Sequence, residues 1–206
     1  MAALKASFQT LRVEGPDEIA RAVVSTTAQG HAALVLFHEN KSSVHEAFLD
    51  SLVNSSGSSK HVLIFHGEAT STADDFYNEC CRVMPAISGW FGRNLDAFDE
   101  ILRSRGLGLS RDGTQPAFWI WRNAHVLFSS DRESFKKILH VMVSAASRIS
   151  RERADIAPVA LVVTGLWEVM GDEASKDDSF LFRPSGPEAS WFPKKETGLI
   201  AIRVVV

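Results

Sequence analysis

Residues 89–103 read GWFGRNLDAFDEILR, a short loop followed by a run of helical character. Apolar side chains recur there at the spacing of one helix face, which predicts an amphipathic helix over 94–103. These apolar side chains are Leu95, Phe98, Ile101 and Leu102. The same helix turns Asp96, Asp99 and Glu100 away from its apolar face. The segment therefore combines a helix that can join a core with a row of acidic side chains that stays outside it.

Two interpretations of this segment stay open from spacing alone. Asp96 and Glu100 are four residues apart, so their like charges cost about 0.2–0.5 kcal/mol unless a cation lies opposite them. In a structural interpretation, Asp96 complements the helix N-terminus and Glu100 pairs with a nearby arginine. The loop aromatics Trp90 and Phe91 then belong to the core. In a functional interpretation, the acids and the aromatics face a cationic partner.

Charge is distributed unevenly along the chain. The whole sequence carries a net charge of −3, without the basic excess of proteins that bind nucleic acid nonspecifically. Residues 61–104 hold seven acids and three arginines, a net charge of −4, whereas residues 105–165 hold nine bases and five acids, a net charge of +4. The helices beside the aromatic loop are therefore predicted to form an acidic surface, which favours a basic protein over nucleic acid as the partner.

Short apolar runs alternate with helical patterns over most of the chain, which is typical of an α/β protein. The predicted strands cover 7–13, 32–37, 61–65, 117–121, 157–163 and 200–206. The predicted helices cover 43–53, 94–103 and 130–149, and two more begin at Pro16 and near Ser71. The run at 32–37 and, apart from His61, the run at 61–65 are apolar, as in parallel strands that are covered on both faces.

A polar loop divides the chain into segments. Residues 54–59 read NSSGSS, without an apolar side chain, which is typical of a flexible loop. We expect an N-terminal βαβα extension over 1–58, a central domain over 59–165 and a C-terminal extension over 166–206. The last of these is predicted to end in a strand that joins the sheet.

The sequence contains no specific catalytic or metal-binding motif, since it lacks a phosphate-binding glycine loop, HExxH, GxSxG and paired CxxC. We therefore expect neither a cofactor nor a metal. His38 and His66 each follow a predicted strand, and ligand sites in open α/β sheets gather at strand carboxyl ends. The alternative function is thus an α/β enzyme or small-molecule-binding protein with a site near these two histidines. The structural interpretation is two strand-end histidines bonded to nearby backbone.

The cysteines and the apolar runs indicate a cellular compartment. Cys80 and Cys81 are neighbours in a predicted helix, where their side chains diverge by about 100° and a mutual disulfide does not fit. No run approaches the roughly 20 apolar residues of a membrane span, and the first residues lack the apolar stretch of a signal peptide. We expect buried or half-buried thiols in a soluble, cytoplasmic protein.

The part of the chain from about His61 to Gly165 resembles the barstar family, which are small α/β inhibitors of secreted ribonucleases. The clearest match is Gly92-x-Asn94-Leu95-Asp96-Ala97, similar to the family's signature at the start of its second helix. Supporting matches are Ile64-x-x-Gly67-Glu68 and Trp121-Arg122, in the family's order. The resemblance implies a barstar-like parallel β-sheet with helices packed on it, extended here by additional N- and C-terminal β/α elements.

The resemblance also implies a binding surface on the loop and the acidic helix. By position, Trp90 and Phe91 match the family's paired loop aromatics, and Asp96 matches its first binding aspartate. Glu100 falls where the family often has a second acid. Asp99 replaces an aromatic residue, so the partner surface differs from the family's. The implied partner-binding residues are Trp90, Phe91, Arg93, Asn94, Asp96, Asp99 and Glu100.

The implied function is that of an immunity or inhibitor protein and not of an enzyme. Such a protein binds a secreted toxin with a basic active-site cleft, here a nuclease delivered between bacteria. The acidic aromatic surface occludes the cleft and protects the producing cell by stoichiometric binding. The expected partner is therefore a protein, with no role for nucleic acid or a membrane.

Overall fold

A computed structural model describes residues 8–12, 16–29, 32–37, 46–51, 61–104, 117–152, 159–165 and 199–205. The strands are β1 (Phe8–Arg12), β2 (Ala32–Phe37), β3 (His61–His66), β4 (Ala117–Arg122), β5 (Val159–Val163) and β6 (Leu199–Val205). The helices are α1 (Pro16–Ala28), α2 (Ala73–Val83), α3 (Leu95–Arg103), α4 (His125–Ser130) and α5 (Arg132–Glu152). Residues 46–51 are also helical, and 3₁₀ turns lie at Gly67–Ala69 and Pro85–Ile87.

The strands form one six-stranded sheet in the order β1-β6-β2-β5-β4-β3, and every neighbouring pair is parallel. The central part of the chain supplies β3, β4 and β5 as three adjacent strands. Strands from the two flanking segments continue the same sheet beyond β5. The predicted fold class, a barstar-like parallel sheet extended by N- and C-terminal elements, is therefore confirmed.

The order of the strands places helices on both faces of the sheet. From β1 to β3 the chain advances in one direction along the sheet, and from β3 to β6 it returns in the other. Because parallel crossovers are right-handed, the two directions put their helices on opposite faces. One apolar cluster lies between the sheet and α2 to α5, and the second lies against α1 and the helical residues 46–51.

Alternation along β4 supplies side chains to both clusters. Trp119 and Trp121 join the larger cluster with α2 to α5, whereas Phe118 and Ile120 join the smaller one. All four side chains are essentially inaccessible to solvent. The strand therefore reads as a continuous apolar run because both of its faces are covered.

The structure differs from the sequence-based expectation after β4. A separate helix, α4, precedes the long helix, which begins at Arg132 and not at Ser130. The backbone N–H of Asp131 donates to the carbonyl of Leu127, which closes α4, and Asp131 Oδ1 accepts from the N–H of Ser134 at the start of α5. A single aspartate thus ends one helix and caps the next.

Several expectations fall on positions outside the described residues. These positions are His38, the loop at 54–59 and all of 166–198. The proposed domain boundaries near residues 58 and 165 stay predictions.

Candidate functional site

The loop before α3 presents one aromatic side chain to solvent. The backbone N–H groups of Trp90 and Phe91 both donate to the carbonyl of Ile87, at 3.0 and 2.9 Å, so the chain turns sharply after the 3₁₀ segment. Trp90 Nε1 donates to the carbonyl of Ala86 at 3.0 Å, which fixes the indole on this turn. The side chain of Trp90 nevertheless stays 59% exposed and is the exposed large hydrophobic residue of the described part of the chain.

Phe91, the second loop aromatic, points the other way. It is 8% exposed and belongs to the larger apolar cluster. Its ring packs edge to face against Tyr77 of α2, with centroids 5.7 Å apart. The structure therefore places Phe91 beneath the predicted surface and Trp90 upon it.

The matched motif at residues 92–97 acts as a helix start. Asn94 Oδ1 accepts a hydrogen bond from the N–H of Ala97 at 2.9 Å, which caps α3, and Asn94 Nδ2 donates to the carbonyl of Gly92 at 3.1 Å. A Cβ at Gly92 would lie 3.0 Å from that same Nδ2. Arg93, between them, has a φ of +48°, in the left-handed region that L side chains disfavour. Asn94 thus caps α3, and a side chain at position 92 would press against the amide group of that cap.

A second element of the resemblance has a similar explanation. A Cβ at Gly67, directly after β3, would overlap the backbone oxygen atoms of Arg122 and Asn123. Only glycine allows the chain to leave β3 so close to the end of β4. Glu68 then accepts a hydrogen bond at Oε1 from Asn123 Nδ2, at 2.6 Å.

Asp96 and Glu100 form the exposed acidic stripe of α3. Both side chains are exposed, and neither has a hydrogen-bond or ion-pair partner among the residues that the structure describes. Asp96 lies in the first turn of α3, where the helix dipole favours a negative charge. Glu100 is one turn further along the same face, so the two charges repel each other weakly. Within the described ranges, therefore, no cation neutralises either carboxylate.

Asp99 is held differently from these two acids. Its Oδ2 lies 2.7 Å from Arg103 Nη2, one turn further along α3, and 3.7 Å from Arg148 Nη1 of α5. Its side chain is 24% exposed. Asp99 therefore joins two helices by ion pairs instead of projecting freely with Asp96 and Glu100.

The partner-binding residues implied by the resemblance do not include Arg148. The residue lies forty-five positions after Arg103 in the +4 segment, and nothing in its local pattern indicates a contact with α3. The fold brings it there because α3 and α5 pack side by side on one face of the sheet. Three arginines, Arg93, Arg103 and Arg148, thus accompany the acids of α3, and the surface is of mixed charge and not purely acidic.

Polar side chains also gather where β3 and β4 end, close to His66. The N–H of His66 donates to Glu79 Oε1 at 2.5 Å, and Arg82 binds both carboxylate oxygens of Glu79 at 2.6 Å. Burial raises the pKa of Glu79, but the hydrogen bonds from Arg82 and from His66 outweigh it and hold that pKa below its ordinary value. His66 Nδ1 lies 3.8 Å from Glu68 Oε2. Arg82 and the backbone N–H of His66 thus bind Glu79, whereas the His66 ring lies beside the Glu68 carboxylate at more than hydrogen-bond distance, which differs from the bond to backbone in the structural interpretation.

The described ranges contain no group of three or more histidine, cysteine or acidic side chains arranged to hold a metal ion. Within the same ranges, no helix has the length and apolar character required to cross a membrane. Cys80 is buried and Cys81 is half-buried, and both are free thiols, as expected from their positions in a helix.

Comparisons with known proteins give one family match. Residues 60–161 match the family described as "Barstar (barnase inhibitor)". Among curated proteins, none matches the chain. A solved structure described as "Structure of Drosophila ORC bound to AT-rich DNA and Cdc6" is similar over 93% of this chain, with 9% identity and a TM-score of 0.46. The chain spans 28% of the length of that chain.

The family match covers β3, α2, α3, β4, α4 and α5 and reaches into β5. It therefore includes the aromatic loop, the capped start of α3 and the acidic stripe. Members of the family are inhibitors whose protein partner is a nuclease such as barnase. Residues 60–161 therefore form a domain of the barstar family.

Proposed function

We propose that this protein inhibits a secreted nuclease toxin by inserting the acidic stripe of α3 and the side chain of Trp90 into the basic cleft of the toxin. The observation that carries the proposal is the pair Asp96 and Glu100. Both are exposed, both lack a partner among the described residues, and both lie on a helix whose start is fixed by a side-chain cap. An arrangement that is mildly unfavourable in the free chain becomes favourable when a cation lies opposite it.

The chemistry of a nuclease cleft suits this surface. A nuclease binds phosphate groups with arginine and lysine side chains, and carboxylates offer those cations the same charge-assisted hydrogen bonds. Because Asp96 and Glu100 are one helical turn apart, two neighbouring cations can be engaged together. The acidic stripe then occupies the place of the nucleic-acid backbone, so substrate is excluded without any reaction on this chain.

Trp90 provides the apolar part of the proposed contact. Tryptophan is enriched among the residues that dominate interface energies, because it buries a large area with few rotatable bonds. The hydrogen bond from its Nε1 to the carbonyl of Ala86 reduces the freedom that binding would otherwise remove. Phe91, Asn94 and Asp99, which were expected to bind the partner, are assigned here to holding the surface in shape.

The biological setting is part of the proposal. The protein acts as an immunity factor in the cytoplasm of the producing cell, where it binds a nuclease used in competition between bacteria. Opposite charges raise the association rate, which matters because an unbound nuclease damages its own cell at once.

Paired affinity purification from the native cell tests the proposal. Tagged wild-type protein and Asp96→Asn are used in parallel, and the recovered proteins are identified by mass spectrometry and assayed for RNA and DNA hydrolysis. Wild type is expected to recover a nuclease at one-to-one stoichiometry and to block it with one equivalent. Asp96→Asn is expected to recover less of the nuclease and to inhibit it at least tenfold more weakly, the effect of a dominant interface residue.

Glu133→Gln is the matched control, because it removes one exposed acid from the first turn of α5. It should behave as wild type. Equal recovery and inhibition by wild type and Asp96→Asn would remove the acidic stripe from the mechanism. A nuclease that stays active in the complex would contradict inhibition itself.

A further inference from the structure

The proposed inhibitor surface has a positively charged border, and the following inference rests on that proposed function. Arg103 and Arg148 share one carboxylate, that of Asp99, at 2.7 and 3.7 Å. Counting only the described residues, two guanidinium groups share a single counter-charge, which leaves one positive charge in excess beside the acidic stripe. This excess lies on the flank of α3 that faces α5.

The two arginines are not equivalent. Arg103 Nη2 is within hydrogen-bond distance of Asp99, and Arg103 Nε is enclosed by protein. Arg148 Nη1, at 3.7 Å, is beyond the 2.7–3.2 Å of a hydrogen bond, although it is close enough for electrostatic attraction. The side chain of Arg148 is 39% exposed, and Asp99 is its ion-pair partner within the described part of the chain. Arg148 therefore keeps donors that a carboxylate could engage in a fork.

We propose that Arg148 is a specificity-determining residue that selects nucleases carrying an aspartate or glutamate beside their basic cleft. When α3 enters a cleft, the neighbouring surface of the toxin covers Arg148 as well. A toxin with a cation at that place would repel it, and one with an apolar group would leave a charge that has lost its water. A toxin with a carboxylate there can pair its cleft cations with Asp96 and Glu100 and its carboxylate with Arg148.

The pattern excludes partners that a uniformly acidic surface would accept. A uniformly acidic surface binds any sufficiently basic nuclease, whereas the arrangement of Asp96, Glu100 and Arg148 requires charges of both signs in a fixed order. Like charges brought together at an interface suppress the binding of wrong partners, and charge complementarity contributes more to specificity than to affinity. Arg148 thus accounts for discrimination between nucleases of similar overall charge.

A displayed library of partners tests this assignment and does not require the natural toxin. Catalytically disabled barnase is displayed on yeast with the surface positions around its cleft randomised, and the library is selected for binding to wild type and to Arg148→Glu. Wild type is expected to enrich Asp or Glu at a border position where Arg148→Glu enriches Lys or Arg. A partner selected on wild type should bind Arg148→Glu at least about tenfold more weakly, and a partner selected on Arg148→Glu should bind wild type with a similar loss.

Lys137→Glu is the matched control for total charge. It reverses one positive charge on the same helix, eleven residues and thus about 16 Å away along the axis, beyond the Debye length at physiological salt. It should enrich the same border residues as wild type. Thermal unfolding of Arg148→Glu checks that the domain still folds.

The outcomes separate this inference from the proposed function. Should wild type and Arg148→Glu enrich the same border residues in clones that depend on Asp96, the role of Arg148 is overturned while the inhibitor surface stands. Clones that bind Asp96→Asn as tightly as wild type would overturn the inhibitor surface itself.

Discussion

The ring of Tyr77 on α2 packs edge to face against the ring of Phe91, at a centroid distance of 5.7 Å, and Phe91 directly follows the exposed Trp90 in the chain. Two adjacent aromatic residues therefore have opposite roles. Phe91 attaches the loop to the core, and the loop fixed in this way holds the side chain of Trp90 at the surface. The proposed contact with a partner depends on both, although only one of them would touch it.

Substitution of the two aromatics should separate stability from binding. Phe91→Ala removes a buried ring and is expected to lower the free energy of unfolding by about 3–5 kcal/mol. Trp90→Ala removes an exposed side chain and should change it by no more than about 0.5 kcal/mol. Urea denaturation followed by circular dichroism measures both. Equal losses of stability in the two variants would mean that Trp90 is part of the core.

The cap of α3 predicts a second measurable effect. Asn94→Ala removes the acceptor for the N–H of Ala97 and is expected to cost about 1 kcal/mol, as is usual for an N-cap. Amide hydrogen exchange should increase mainly in the first turn of α3, because only that end loses a partner. Asn94→Asp restores an oxygen acceptor and should recover most of the lost stability. Unchanged exchange in Asn94→Ala would show that another group caps the helix.

The ion pairs of Asp99 predict a salt-dependent link between α3 and α5. Asp99→Asn leaves Arg103 and Arg148 close together without their carboxylate, so we expect a loss of about 1 kcal/mol at low salt. The loss should shrink at high salt, because these partly exposed charges are screened. A double-mutant cycle with Arg148→Ala isolates the longer of the two pairs. A loss that is independent of salt would indicate packing and not charge as its origin.

Glu79 predicts the direction of a pH effect. Because its pKa is lower in the folded chain than its ordinary value of 4.5, the folded chain binds this proton less readily than the unfolded chain does. Its contribution to stability is therefore fully present above pH 4.5 and is lost as the pH falls through the lowered pKa. Glu79→Gln should flatten the loss of stability between about pH 5 and 3, measured by urea denaturation at each pH. Parallel pH profiles for the two proteins would contradict this assignment.

The two neighbouring thiols should react at different rates. Burial raises the pKa of Cys80 well above its usual range, and the charges of Cys81 and Glu79 raise it further, so little reactive thiolate forms there. Cys81 is half-buried, and iodoacetamide is expected to modify it first. Peptide mass spectrometry over a time course of alkylation distinguishes the two sites. Faster modification of Cys80 would mean that α2 opens locally before it reacts.

Several elements could be predicted from the sequence because their signals are local. The spacing of Leu95, Phe98, Ile101 and Leu102 identified α3, and Asn94 identified its start. The apolar run of β2 identified a strand that is covered on both faces, whereas β3, at the edge of the sheet, is only half-buried over 62–64. These patterns depend only on neighbouring residues, and the packed structure agrees with them.

The composition of the surface could not be predicted in the same way. The amino-acid sequence does not show that Trp90 faces solvent while Phe91 faces Tyr77, since both are large aromatic residues on one loop. The contact between Asp99 and Arg148 joins two helices that are distant in the chain, so a sum of charges over one segment misses it. A local count therefore gave an acidic surface where the folded protein has a mixed one.

The position of β6 between β1 and β2 determines when the sheet can be completed. Phe8 is paired with Ala201, and β6 separates β1 from β2, so β1 has no strand to pair with until β6 is in place. Residues 199–205 must therefore be synthesised before β1 can join the sheet. Contacts between residues so far apart in sequence form slowly, because a long loop has to close first. Strands β3, β4 and β5 pair with one another without β6, so the barstar-family domain can form its part of the sheet before β1 joins it.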